Sequence, residues 1–287
     1  MVEILHSGLL QRALVEIVVL GAACGALGVW LLHLRHAYAA ESLAHAMLPG
    51  LVLASLAGIP LLLGAGAGVL VTAVLIALAT RDTRVGPEIA VGVTVTTAFG
   101  LGAVLALSPD VPVGLDRLLF GDLLGAGTGD LVAAGALALV IALALAAGHR
   151  PLTLAVFDPV AAASLGTRPA RVELALLALL GIAVVAAVLS LGNLLVFALL
   201  VAPAAAAIRI GRRVREQLWL AATIGAFAGV AGLVASAEFD VAAGGSVALA
   251  AVGLYALAAL ARPAGARGTG TGGNARRSPV EALGAGR

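Results

Sequence analysis

A polytopic bundle of about eight or nine transmembrane α-helices is the fold class this sequence predicts, and three observations carry it. Of 287 residues, 62% are hydrophobic and only 11% are charged, whereas a soluble domain is about a quarter charged and half apolar. Apolar runs of membrane-spanning length recur along the chain, separated by clusters of Arg or of Asp and Glu. The 37 glycines and the low aromatic content of 3% suit helices packed closely through small residues. A lipid-facing β-barrel would instead alternate apolar and polar positions and carry aromatic girdles.

Nine runs approach the roughly 17–25 residues a crossing needs, two of them slightly short, with eight as the alternative count. Leu14–Leu32 comes first and ends against His33, Arg35 and His36. Ala46–Leu63 and Gly64–Thr80 follow with no charged loop between them, so Gly64 marks a tight hairpin turn or a break within the bundle. Arg81 and Arg84 separate the third run from Ile89–Leu107. An acidic stretch with Asp110, Asp116, Asp122 and Asp130 leads to Leu131–Gly148. A longer connection precedes Leu174–Leu191. That run nearly merges with Leu194–Ile208 at Gly192-Asn193, a second turn or break, where Asn193 is expected to satisfy the turn. Leu218–Ala235 follows a cluster from Arg209 to Arg215, and Ser246–Ala261 follows Glu238 and Asp240. The transmembrane domain is therefore placed at residues 1–263. Residues 264–287 are rich in Gly and Arg, cannot bury enough surface to fold, and are expected to form a disordered cytoplasmic tail.

Charge orients the bundle. Every one of the seventeen basic residues is Arg, and fifteen of them lie in alternate connections or in the tail. The intervening loops are acidic. By the positive-inside rule the C-terminus faces the cytoplasm and, with nine crossings, the N-terminus faces outside. The absence of Lys excludes a Walker A nucleotide site, a kinase-type site and Schiff-base chemistry, so the chain is not expected to hydrolyse ATP itself. Cys24 stands alone in an apolar run, which excludes an intrachain disulfide and a cysteine zinc cluster; it reads as a small core residue. No basic region followed by a small-residue cleavage site opens the chain, so no removable signal peptide is expected. No nucleic-acid partner is expected either.

Ionisable side chains within a bilayer cost several kcal/mol, which makes them the first functional candidates. Glu41 and His45 stand at i and i+4, so on a helix they share one face with Cβ atoms about 6 Å apart. A carboxylate and an imidazole at that spacing suit a divalent transition metal ion, Zn²⁺ or Mn²⁺. The alternative is a solvated pair at a helix end, helped by Arg35, His33 and His36. Glu16 and Glu88 read as terminal residues that reach water. His33, His36 and His149 read as interfacial. Val156–Gly166 carries the signals of a short helix: Asp158 as N-cap, Pro159 at the first helical position, Gly166 as the left-handed stop. It lies in a cytoplasmic connection, where it is an ordinary interfacial helix or a surface for a partner ATPase.

Several segments together resemble the permease subunits of bacterial zinc/manganese ABC importers, the ABC-3 family. Glu41-Ser42-Leu43-Ala44-His45-Ala46-Met47-Leu48-Pro49-Gly50 is similar to the family's G-D-x-[IL]-S-H-A-x-L-P-G. Pro87–Gly92, Leu119–Gly125, Phe157-Asp158-Pro159 through Gly166, Leu199–Ala207 and Asp240–Gly244 follow in the family's order. The resemblance implies a type II importer fold and a homodimer within membrane lipid. It implies one separate ABC ATPase subunit for each copy and an extracytoplasmic metal-binding protein that delivers the ion. Glu41 and His45 align with the family's metal-carrying Asp/His pair, and Phe157, Asp158, Pro159 and Gly166 with its coupling helix. The chain then holds no cofactor of its own: Zn²⁺ or Mn²⁺ is cargo, with zinc slightly favoured, and ATP is bound by the partner. Glu41 departs from the family's Asp, Ala39-Ala40 stands where Gly is expected, and Ala44 replaces Ser.

Two other classes compete. A secondary carrier would take up metal without ATP and carry inverted repeats, which the sequence does not show. An intramembrane protease would need a metal motif such as H-E-x-x-H, absent here, or a serine dyad built on Ser190 or Ser236 with no intramembrane His nearby in sequence.

Overall fold

The computed structural model describes residues 8–79, 87–108, 125 and 127–261, without several side chains, among them those of Glu88 and Asn193. The readings made of those two side chains, of Arg81 and Arg84, of the acidic stretch at 109–124 and of the tail at 264–287 lie outside the described residues. Among the described residues every regular element is an α-helix: α1 (Gly8–His33), α2 (Ala37–Ala46), α3 (Leu48–Ala57), α4 (Leu61–Ala79), α5 (Pro87–Ala106), α6 (Thr128–Phe157), α7 (Pro159–Ser164), α8 (Pro169–Leu191), α9 (Asn193–Ile210), α10 (Val214–Phe239) and α11 (Ala243–Leu260). By length and composition α1, α5, α6, α8, α10 and α11 can each cross a membrane. The polytopic helical bundle predicted from composition is the fold observed.

The apolar runs appear as helices, with one redistribution. The run expected over Ala46–Leu63 is not one helix. Met47 separates α2 from α3, and Pro49, which has no N–H to donate, falls in the first turn of α3. At ten residues, α3 extends only about 15 Å; α2 and α3 in succession supply the residues of one crossing. The hairpin between α3 and α4 turns at Gly58, whose φ of 66° ends α3 in the left-handed region. Gly64 is therefore neither turn nor break. It sits inside α4, where it faces Gly50 so closely that a Cβ on either would strike the other's carbonyl. The second expected break is present: Gly192, with φ 80°, divides α8 from α9.

α1 is the hub of one group of helices. Ala13, Ile17, Leu20, Cys24, Leu27 and Trp30 are buried along it, and it packs on α10, α9 and α6, with α11 behind α9 and α10. Gly21 meets Gly225 and Gly25 meets Ala221 at backbone contact, which lets α1 and α10 approach closely. Helices α2 to α5 form a second group around α3, and α8 touches both groups. Large apolar side chains on α4 and α5, among them Leu63, Leu70, Val93 and Val104, point outward. Such a surface is compatible with hydrocarbon and not with water.

Candidate functional site

Glu41 and His45 fall on one face of α2, one helical turn apart, as their spacing predicts. Glu41 Oε1 and His45 Nε2 stand 4.0 Å apart, both partly exposed. They line a pocket of about 240 Å³ between α2 and α5 together with Ser42, Val95, Thr96 and Phe99. The His45 ring lies against the Phe99 ring at 4.8 Å between centroids, which restricts its orientation from the α5 side. An ion about 2.0–2.2 Å from each ligand atom just fits across the gap of 4.0 Å. Among the described residues no group of three or more His, Cys, Asp and Glu side chains gathers. The pair offers two protein ligands and leaves the other coordination positions open. Ser42 is a pocket residue that the reading of residue spacing did not single out. Its Oγ is buried without a hydrogen-bond partner, and a hydroxyl one position after Glu41 carries no signal in sequence.

The short helix forms as its signals predict. Asp158 Oδ1 accepts from the Ala161 N–H at 2.9 Å, Pro159 opens α7, and Gly166 takes φ 80° after it. Ala162 is buried, while Phe157, Val160 and Leu165 are exposed at 56%, 79% and 70%. Three exposed apolar side chains on and beside this short helix, in an Arg-bearing connection, form a contact surface without a cover among the described residues. Phe157 also reaches inward: its ring meets His33 edge-on at 5.3 Å. His33 Nε2 donates to Gln217 Oε1 at 2.7 Å, and the Gln217 amide donates to the Gly211 carbonyl. His36 Nε2 donates to Glu173 Oε1 at 2.6 Å, joining the α1–α2 connection to α8. His149 packs edge-on against Trp30. The three histidines thus make polar and aromatic contacts that tie the end of α1 to α6, α8 and α10.

The sequence profile described as the ABC 3 transport family matches residues 6–262. The chain belongs to that family. The manganese transport system membrane protein MntC of Halalkalibacterium halodurans is 34% identical over 257 residues, covering 89% of this chain and 88% of that protein. The manganese import system permease protein ScaB of Streptococcus parasanguinis is 29% identical, covering 84% of this chain and 86% of its own. Among solved structures, a chain of PsaBC from Streptococcus pneumoniae in complex with Fab aligns with a TM-score of 0.83 and 27% identity, over 91% of this chain and 94% of that one. The family resemblance read from motifs in order therefore stands, as does the fold it implied.

One residue of this ABC-3 permease departs from its sequence reading. Glu16, expected to reach water from a helix end, is 0% exposed. About two turns of α1 precede it, because the helix begins at Gly8. Neither carboxylate oxygen has a hydrogen-bond partner; Ser190 on α8 stands beside it without closing a bond, and Asp130 of α6 lies close enough to act on it electrostatically.

Proposed function

We propose that this chain is the membrane-spanning permease subunit of an ATP-driven importer of divalent transition metal ions, with manganese ahead of zinc. The observation that carries the reading is the Glu41–His45 pair, 4.0 Å apart in a pocket between two helices. A hard carboxylate with a single imidazole suits Mn²⁺ as well as Zn²⁺. The names of the two relatives above, both manganese systems, move the preference from the zinc that the sequence alone slightly favoured. Two protein ligands hold an ion weakly enough to release it, as conduction requires. The longer Glu reaches further than the family's Asp, and Ser42 Oγ stands in the same pocket as a further oxygen donor.

In this reading the Arg-bearing end of the bundle and the C-terminus face the cytoplasm. A separate ATPase subunit seats on the exposed apolar side chains of α7, and Asp158, Pro159 and Gly166 keep that helix rigid. Its movement passes from Phe157 to His33 and along the α1–α2 connection to the helix that carries the metal pair. A second copy of the chain completes the pathway, and an external metal-binding protein supplies the ion.

The test is metal uptake by vesicles containing the chain with its ATPase subunit, comparing wild type with His45→Ala. ATP-dependent Mn²⁺ uptake reduced at least tenfold by the substitution, with ATPase assembly intact, is the expected result. Competition by Zn²⁺ ranks the two ions. Unchanged uptake in His45→Ala removes the pair from the pathway, and uptake indifferent to ATP replaces the importer with a secondary carrier.

A further inference from the structure

A groove of about 580 Å³ opens sideways between α1, α6 and α10. Its floor and walls are apolar and small, including Ala23, Ala26, Ile141, Ala142 and Leu145. At one end stand two nitrogen-bearing side chains, His149 and Arg215, with Trp219 alongside. The metal pair lines a different pocket, between α2 and α5, so this groove has no part in the proposed ion pathway.

Three features define what fits. The first is length. From Ala138 to His149 the groove follows α6 for about 16 Å at 1.5 Å per residue, close to half of a hydrocarbon core about 30 Å thick. That length matches the acyl depth of one leaflet. The second is charge. Arg215 has no acidic partner among the described residues: the neighbouring Glu216 is turned back onto the start of α10, where Oε2 accepts from the Arg212 and Arg213 N–H groups at 3.0 and 3.3 Å. Arg215 is exposed where it lines the groove, and its guanidinium makes no hydrogen bond among the described residues. The third is the rim. Trp219 is 69% exposed beside Arg215, the placement an indole takes at the level of lipid headgroups.

We propose that the groove is a binding site for one anionic phospholipid of the leaflet on the Arg-bearing side. An acyl chain lies along α6 between α1 and α10, and the headgroup phosphate is held by the Arg215 guanidinium, with the His149 imidazole as a second donor. Apolar length, an unpaired cation and an indole at the rim answer the acyl chain, the phosphate and the headgroup level of such a lipid. A phosphatidylcholine headgroup carries its own cation and gains less from Arg215, so the site selects anionic headgroups. The inference rests on the chain spanning a bilayer and not on the identity of the transported ion.

The test is native mass spectrometry of the full chain released from nanodiscs of equal parts phosphatidylglycerol and phosphatidylcholine, followed by graded delipidation. Wild type is expected to retain one phosphatidylglycerol after the remaining lipid is lost. Arg215→Gln reduces that preference about fivefold and leaves chain occupancy in place. Ala142→Trp, which fills an open wall, removes the retained lipid whatever its headgroup. Equal retention of both lipids by wild type, or a preference unchanged by Arg215→Gln, overturns the proposal. So does efficient disulfide crosslinking of Ala142→Cys to a second copy within the membrane, since the groove would then be covered by protein. Metal uptake is not measured, so a failure here is separate from a failure of the transport reading.

Discussion

Glu16 and His45 show how little a residue's type says about its surroundings. Both are ionisable and both stand within helices, yet His45 lines a pocket beside Glu41 whereas Glu16 is sealed among helices with its oxygens unpaired. A carboxylate buried with no hydrogen bond closed is a net cost to the fold, because desolvation is uncompensated. Glu16→Gln keeps the shape and removes the ionisable oxygen, so the purified chain is expected to gain on the order of 1 kcal/mol, an increase of about 2–4 °C in melting temperature. A fall of several degrees would mean that Glu16 is held by a contact within the folded chain, with the Ser190 hydroxyl the nearest donor. The i, i+4 relation of Glu41 and His45 was legible in sequence because a helix fixes it locally. The burial of Glu16 was not, because it depends on α8 and α6 arriving from far along the chain.

At the scale of elements, α7 repays attention because its stability is local. One side-chain hydrogen bond, from the Ala161 N–H to Asp158 Oδ1, satisfies a donor at a helix start that has few others. Asp158→Ala is expected to cost about 1 kcal/mol there, and Asp158→Asn much less, since Asn caps equally well. If α7 transmits movement from the ATPase, the alanine variant lowers metal uptake per ATP hydrolysed while the asparagine variant restores it. An Asp158→Asn variant as defective as Asp158→Ala would show that the negative charge, not the cap, is what the partner reads. The cap, Pro159 and Gly166 were all visible in sequence because each acts within a few residues. The turn at Gly58 was misplaced to Gly64 for the converse reason. Both are glycines in an uncharged stretch, and only the close approach of Gly50 shows that Gly64 serves packing.

A neighbouring element shows the same rule in backbone terms. Arg35 closes α1 with φ 62°, a left-handed conformation that a residue with a Cβ adopts at a cost of roughly 1 kcal/mol. The His36 N–H nevertheless reaches back to the Leu31 carbonyl at 2.9 Å, so the turn is complete, and His36 is aimed at Glu173. Basic charge at this end explains an Arg where geometry favours Gly.

For the whole molecule, the question is what holds a bundle together when lipid is as apolar as its core. Without a hydrophobic difference to exploit, close packing must do it. The α1–α10 seam is the place: Gly21 and Gly225 touch backbone to backbone, and Ala221 lies against Gly25. A Cβ at Gly225 would run into the Gly21 carbonyl, and neither backbone can move without shifting a buried helix. Gly225→Val is therefore expected to destabilise the chain by about 3 kcal/mol or more, at the upper end for overpacking, and to reduce the folded yield from membranes. Gly253, on α11, has open space where a Cβ would go, so Gly253→Val is expected to cost nothing in packing and to gain about 0.3 kcal/mol from helix propensity. Comparing the two by melting temperature separates packing from propensity. If both substitutions cost the same, the seam is not what joins α1 to α10, and the many glycines would have to be explained by mobility instead. Composition signals that small residues matter in this bundle. Which of them bear contacts is settled only when α10, some two hundred residues after α1, is laid against it.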